Sequence, residues 1–275
     1  MRLEDKVVLI TGGSRGVGAA CALACAREGA HVAVAAKTVE PDARLPGTLG
    51  EVVAQVEALG RGALALQTDV RFEDQVEAMV AQTVARFGRL DALVNNAGAI
   101  FWGDLGAWPV KKFDLVFGVN VRAAFLATRA ALPHLRVRGG HVLMMSPPIN
   151  AKAAVGKAPY LVSKIGMTVL AQAVDGEEEA VCAQALWPVA AVKTAATVNL
   201  GMGDDSAWRT PEILADATVA LLARDPRQAS FRAWLDEDVL RELEGVTDLT
   251  RYRCDPAHEP GPMSIELVDP DWRRA

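Results

Sequence analysis

VVLITGGSRGVG, residues 7–18, runs from an apolar stretch into a turn with glycine at 12, 13, 16 and 18 and on into the alanine-rich AACALACAREG. Glycines between a strand and a helix let the main chain approach a diphosphate. The helix N-terminus then offers that anion free N–H groups and a partial positive charge. HVAVAA, at 31–36, completes a strand–helix–strand unit. In that context the turn reads as a dinucleotide site, with Gly12, Ser14, Arg15, Gly16, Val17 and Gly18 as its candidate contacts.

The alternation continues along the chain. ALALQT (63–68), DALVNN (91–96), HVLMMS (141–146), VCAQALW (181–187) and SFRAWL (230–235) read as further strands, with helical patterns between most of them. The pattern predicts one Rossmann-type doubly wound α/β domain over residues 1–245, its seven-stranded parallel sheet covered by helices on both faces. Two stretches depart from it: the Pro-containing KTVEPDARLPGTLG (37–50) and a Pro-rich tail at 246–275. Both carry apolar residues, so ordered loops are expected.

A net charge of -5 with interspersed signs gives none of the basic stripe that nucleic acid requires. MRLEDK leads directly into the first strand, with no leader pattern, and no apolar run reaches the ~18 residues of a membrane span. A cytoplasmic protein without a membrane span is expected. Cys21, Cys25, Cys182 and Cys254 form no C-x-x-C pair, and with the four histidines they show no metal-ligand spacing. Cys21 and Cys25 read as small core fillers.

The end of the second strand bears on which dinucleotide is bound. An acid there holds an unphosphorylated ribose, whereas a base suits the 2′-phosphate of NADP. Here Lys37 and Thr38 follow HVAVAA, and Arg15 can reach the same side. NADP(H) is favoured over NAD(H), the alternative being that both bases are ordinary solvated ones. Asp69 and Val70 follow the third strand, where the aspartate either accepts from the adenine amino group or caps a helix. Asn96, Ala97 and Gly98, in NNAG, leave room for the ribose while their amides brace neighbouring strands.

SPPINAKAAVGKAPYLVSK, residues 146–164, holds Ser146, Tyr160 and Lys164. A phenol with a pKa near ~10 needs a nearby positive charge to act as an acid–base catalyst at neutral pH. A lysine one helical turn on supplies that charge on the same face. Ser146 ends the fifth strand at the edge where parallel sheets place ligands. Asn120 is polar among the apolar residues of FGVNVRAAF and has poor mid-helix propensity.

Together and in this order, TGGSRGVG, NNAG, Asn120, Ser146 and YLVSK resemble the short-chain dehydrogenase/reductase family over nearly the whole chain. The resemblance implies that Tyr160 is the proton donor and acceptor. Lys164 would lower its pKa and bind the nicotinamide ribose, Ser146 would polarise the carbonyl, and Asn120 would support a water-linked relay to Lys164. It also implies cofactor contacts at Pro188 and Thr194, a main-chain contact from Val189 to the nicotinamide amide, and a homodimer or homotetramer. AAKT with its insertion, SPPIN, ALWPVAAVKTAA and AWLDEDVLRE look like the hydroxysteroid-dehydrogenase-like protein 2 group and citronellol-type dehydrogenases. Some of that group carry a sterol-carrier domain after the reductase, and with Ala275 as the last residue none is expected here.

Phe101, Trp102, Pro148, Trp187, Met202 and Trp208 are read as lying in loops after strands. They make an apolar pocket if they converge, or are ordinary packing. The expected substrate is a hydrophobic aldehyde, ketone or alcohol, and the expected activity an NADP(H)-dependent oxidoreductase. The alternative is a nucleotide-binding regulatory module that has lost turnover. In the tail, Met263, Ile265 and Leu267 alternate with polar residues ahead of Trp272, apolar surface that is costly to leave in water. The tail is expected to dock over its own substrate cleft or, preferentially, on a neighbouring subunit.

Overall fold

The computed structural model describes residues 1–41, 46–146 and 154–263. The first half alternates strictly: β1 (Val7–Thr11), α1 (Gly16–Arg27), β2 (His31–Ala36), α2 (Leu49–Ala58), β3 (Ala63–Gln67), α3 (Glu73–Phe87) and β4 (Ala92–Asn95). There follow α4 (Val110–Phe117), a π turn over Gly118–Arg122, α5 (Ala123–Leu135), β5 (Gly140–Met145), α6 (Ala158–Glu177) and β6 (Val181–Trp187). Short elements close the fold: β7 (Ala191–Val192), α7 (Ala195–Asn199), β8 (Trp208–Arg209), α8 (Glu212–Leu222), β9 (Ala233–Leu235) and α9 (Asp236–Glu244). The main sheet is parallel, in the order β3-β2-β1-β4-β5-β6-β9, and β7 pairs with β8 apart from it.

All five residues of β1 are buried because helices cover both faces of the sheet. Val8 and Ile10 enter a core shared with Cys21 and Cys25 of α1 and with the apolar residues of α8. Val7 and Leu9 enter the opposite core, with Met79 of α3, Leu126 of α5 and Met167 of α6. Burial pushes the Cys21 thiol up to about 12, so both helix cysteines are inert packing, as expected. The sheet order reverses between β1 and β4, and a crevice opens at their carboxyl ends, where open α/β sheets bind ligands.

Val110–Leu135 is one helix long and apolar enough to cross a membrane by length and composition, although Lys111, Lys112, Asp114, Arg122 and Arg129 leave no long uninterrupted apolar run in it. It packs through Leu126, Ala127 and Leu135 into the second core.

Two of the expected pocket residues belong elsewhere. Trp187 is the last residue of β6, fully buried in the second core, and Trp208 sits in β8 with its indole N–H donating to the Met202 carbonyl at 3.0 Å. Each aromatic ends or begins a strand, so its side chain is committed to packing before the loop starts. The tail also packs early. Leu249 and Tyr252 are buried in the first core, the Thr210 N–H donates to the Tyr252 carbonyl at 2.7 Å, and the Cys254 N–H donates to the Trp208 carbonyl at 3.1 Å. The Arg209 guanidinium, 1% exposed, ties the Leu249 carbonyl, Glu237 and Glu259 together. Residues 246–263 therefore lie against their own chain, whereas Ile265, Leu267, Trp272, Pro147 and Pro148 lie outside the described residues.

Trp187→Ala should cost ~3–5 kcal/mol of stability, the usual range for removing a large buried aromatic. Urea unfolding midpoints compared with the parent chain check this. A wall residue of an open pocket would cost far less.

Candidate active site

The turn between β1 and α1 is shaped by side chains that are missing. Gly12 has φ +68°, and a Cβ there would stand 2.9 Å from the Ala97 Cα. A Cβ on Gly18 would lie 2.5 Å from the Asn96 Nδ2 and closer still to the Gly12 carbonyl. Only glycine fits either position. The Asn96 amide donates to the carbonyls of Thr11 (2.9 Å) and Gly12 (3.1 Å), and the Thr11 hydroxyl accepts from the N–H groups of Asn96 and Ala97 (both 3.1 Å). The ends of β1 and β4 are thus pinned together. α1 starts without a capping side chain or an acid in its first turn, which leaves its N–H groups open to an anion.

In front of this turn lies a cleft of ≈ 580 Å³. Gly12, Ser14, Arg15, Gly16, Val17, Gly18, Lys37, Thr38, Asp69, Val70, Asn96, Ala97, Gly98 and Thr194 all line it. Arg15 donates from Nη2 to the Gly47 carbonyl at 3.1 Å, so the insertion after β2 folds over the glycine turn. Its buried Nε has no hydrogen-bond partner among the described residues. Asp69 caps no helix, since Phe72 precedes α3. Instead Arg71 grips it through Nε (2.9 Å) and Nη2 (2.5 Å), with Lys37 3.8 Å away. The Arg71 hydrogen bonds hold the Asp69 carboxyl below its ordinary range. Arg71 has no motif signal in the sequence; its part comes from sitting two residues after Asp69.

A second cleft of ≈ 270 Å³ adjoins the first and shares Val17, Asn96, Gly98 and Thr194 with it. Ser146, Tyr160, Lys164 and Pro188 line it. A Cβ on Gly98 would stand 3.5 Å from the Lys164 Nζ and 3.7 Å from the Asn120 Oδ1, which puts the ammonium beside the strip of main chain common to both clefts. The Lys164 Nζ donates to the Met145 carbonyl at 2.8 Å. Burial pushes this lysine down to about 8 and the Tyr160 phenol up to about 12. Desolvation alone sets the phenol's shift, and the lowering expected from Lys164 is not seen here.

Ser146, just past β5, is oriented from behind. The Trp187 indole N–H, which can only donate, points to the Thr168 hydroxyl at 3.4 Å, and Thr168 donates to the Ser146 Oγ at 3.2 Å. Among the described residues nothing accepts the Ser146 proton, and Ser146 lines the cleft. Neither Thr168 nor this second use of Trp187 is visible in a motif.

Asn120 does not line either cleft. It sits in the π turn, fully buried, its Oδ1 accepting from the Ala99 N–H (2.7 Å) and its Nδ2 donating to the Ala99 carbonyl (3.1 Å) and the Ser163 hydroxyl (2.9 Å). Its amide clamps the loop after β4 onto α6, the reason a poor helix former stands there. Val189 is likewise absent from the lining. Its N–H donates to the buried Asp236 carboxylate at 3.0 Å and its carbonyl accepts from the Met263 N–H at 2.6 Å, so both main-chain groups are taken within the chain.

Of the expected apolar wall, Met202 lines the second cleft. Phe101 packs edge-on against Trp108 at 4.9 Å and Trp102 lies under Lys157 at 4.5 Å, both outside the lining. Ile100, Met145, Leu186, Leu214 and Met263 provide it instead.

The sequence model of the short chain dehydrogenase family matches residues 6–201. Hydroxysteroid dehydrogenase-like protein 2 of Xenopus tropicalis is 40% identical over 262 residues, which is 94% of this chain and 62% of that protein, so the chain spans less than two thirds of its relative. A short chain dehydrogenase from Mycobacterium thermoresistibile superposes with a TM-score of 0.88 at 40% identity, covering 98% of this chain and 97% of the other. A metagenomic short-chain oxidoreductase, solved in complex with NADP, gives 0.71 at 28% identity, covering 86% and 98%.

The buried lysine sets a pH dependence. Between about 8 and the ordinary 10.5 the unfolded chain keeps the Lys164 proton and the folded chain does not, so stability rises with pH through that window. Tyr160 acts oppositely, but only above its ordinary 10. Lys164→Met should abolish the rise, worth about 3 kcal/mol at most, while forfeiting ~1 kcal/mol for the Met145 hydrogen bond. Urea midpoints of the cofactor-free variant and parent, from about pH 7 to about pH 10, test the sign.

Proposed function

The chain belongs to the short-chain dehydrogenase/reductase family of NAD(P)-dependent oxidoreductases, and from that premise we propose that it is an NADP(H)-dependent carbonyl reductase or alcohol dehydrogenase acting on apolar small molecules. The observation that carries the reading is the meeting of Ser146, Tyr160 and Lys164 in one apolar cleft that opens into the glycine-turn cleft. The dinucleotide would be held along the larger cleft, its diphosphate against the turn from Gly12 to Gly18 and the N-terminus of α1. Bound nicotinamide supplies or accepts the hydride. Tyr160, kept neutral by burial, gives its proton to the substrate oxygen in reduction and takes it back in oxidation. Ser146 donates the hydrogen bond that the Thr168 hydroxyl leaves free, fixing that oxygen beside the phenol. The Lys164 ammonium, beside Gly98, favours the phenolate as the proton leaves.

Preference for the phosphorylated cofactor is supported by charge. Arg15 and Lys37 line the cleft, and Asp69, the one acid in its lining among the described residues, is engaged by Arg71. Exposed pairs give about 0.2–1 kcal/mol and hydrogen bonds to charged groups about 1.5–3, together roughly 10- to 100-fold discrimination. Assembly with further copies is supported by Phe113 on α4, Phe125 on α5, and Val162 and Val169 on α6, all exposed.

Tyr160→Phe should lower turnover ~100- to 10,000-fold and leave NADPH affinity nearly unchanged. Steady-state rates on apolar aldehydes, ketones and alcohols, with parallel fluorescence titration of NADPH, decide it; a variant with the parent's rate removes Tyr160 from the chemistry. In the same titration Lys37→Asp should turn the preference toward NADH. Equal affinity of the parent chain for NADH and NADPH would refute the cofactor assignment.

A further inference from the structure

The chain beyond α9 ends its described course inside the catalytic cleft. From the buried Tyr252 a strap runs along β8, held by the Cys254 and Asp255 N–H groups on the carbonyls of Trp208 and Asp205, both at 3.1 Å. Glu259 anchors its middle to Arg209 and Arg253. Four residues later the Met263 N–H donates to the Val189 carbonyl at 2.6 Å, and Met263 lines the cleft that contains Ser146 and Tyr160. Val189 is fixed from its other side by Asp236, which is fully buried and accepts from the N–H groups of Val189 (3.0 Å) and Glu237 (2.8 Å). The strap end is therefore pinned to a main-chain point that is itself held from behind.

The consequence is one of space. The cleft measures ≈ 270 Å³ with Met263 in place, below the ~300–1,000 Å³ of ordinary small-molecule pockets. The same space must admit the nicotinamide end of the cofactor as well as the substrate. Met263 and Met202 enter it from separate segments, and an unbranched thioether fills whatever room is left. Resting on the carbonyl/alcohol reading of this cleft, we propose that Met263 is a specificity-determining residue. It closes the cleft against bulky ring systems and long chains and restricts the enzyme to short apolar aldehydes, ketones or alcohols.

The test uses the full chain and its Met263→Ala and Met263→Trp variants. The first arm is kcat/KM with NADPH for straight-chain aldehydes of about four to twelve carbons. The second, which needs no turnover, is calorimetric binding of the matching primary alcohols to the protein saturated with NADPH. Met263→Ala should raise the long-to-short ratio ~10-fold in both arms and Met263→Trp should lower it. Identical length profiles in all three proteins overturn the proposal. So does a loss of kcat in Met263→Ala that is equal at every length, the mark of a merely structural strap, and so does a parent chain that binds no member of the series. If alcohols bind with a length limit that moves with residue 263 while no aldehyde is turned over, the catalytic reading fails and the size limit stands.

Discussion

The structure depends on the lock between the glycine turn and the end of β4. β1 and β4 pair as far as Ile10 and Val94, and beyond that pairing the position of the two chain ends depends on a cross-tie. The Asn96 amide and the Thr11 hydroxyl supply that tie with four hydrogen bonds, each worth about 1 kcal/mol net. The tie is possible only because Gly18 brings no Cβ into the space the amide fills. From this point α1 is aimed at the larger cleft, while the main chain at Gly98 is carried alongside Lys164. Anion binding and proton chemistry are then two ends of one rigid piece.

The reactive end is assembled at a cost. Lys164 is buried with the Met145 carbonyl as its hydrogen-bond partner among the described residues, and the phenol is desolvated as well. Both groups are displaced toward their neutral forms, a state poised to respond to charge brought by a bound partner. Around them the protein spends polar groups on orientation. Asn120 clamps Ala99 to Ser163, and the line from Trp187 through Thr168 fixes which way Ser146 can donate. Such preorganisation, set by the fold before any ligand arrives, is what makes fixed donors effective in a low-dielectric site.

Much of this was legible in the sequence because parallel strands buried on both faces read as short apolar runs between glycine and aspartate. All seven runs became strands of the main sheet. The glycine turn and the Ser146, Tyr160 and Lys164 set were legible because their chemistry needs those residue types at those spacings. What stayed hidden depends on contacts between distant positions. Trp187 reads equally well as the end of a strand or the start of a loop until β9 pairs beside it. The main chain of Val189 is claimed by Asp236, 47 residues on, which no local pattern announces. Asn120 is odd for a helix, but its purpose needs the position of Ala99. Met263 alternates with polar neighbours, yet only the route of the strap brings it into the cleft.

The clasp of the strap also bears on the order in which the molecule can be completed during synthesis. Domains tend to fold as the chain emerges, N-terminal parts first, at about 5–20 residues per second. Here the first core lacks Leu249 and Tyr252, and Arg209 lacks Glu259, until nearly the whole described chain has been made. A ribosome-bound intermediate with its sheet already formed would leave uncovered the part of the first core that Leu249 and Tyr252 fill. Its exposure to chaperones or to other nascent chains ends only when the strap arrives, so the segment whose end bounds the cleft in the finished protein also completes the first core.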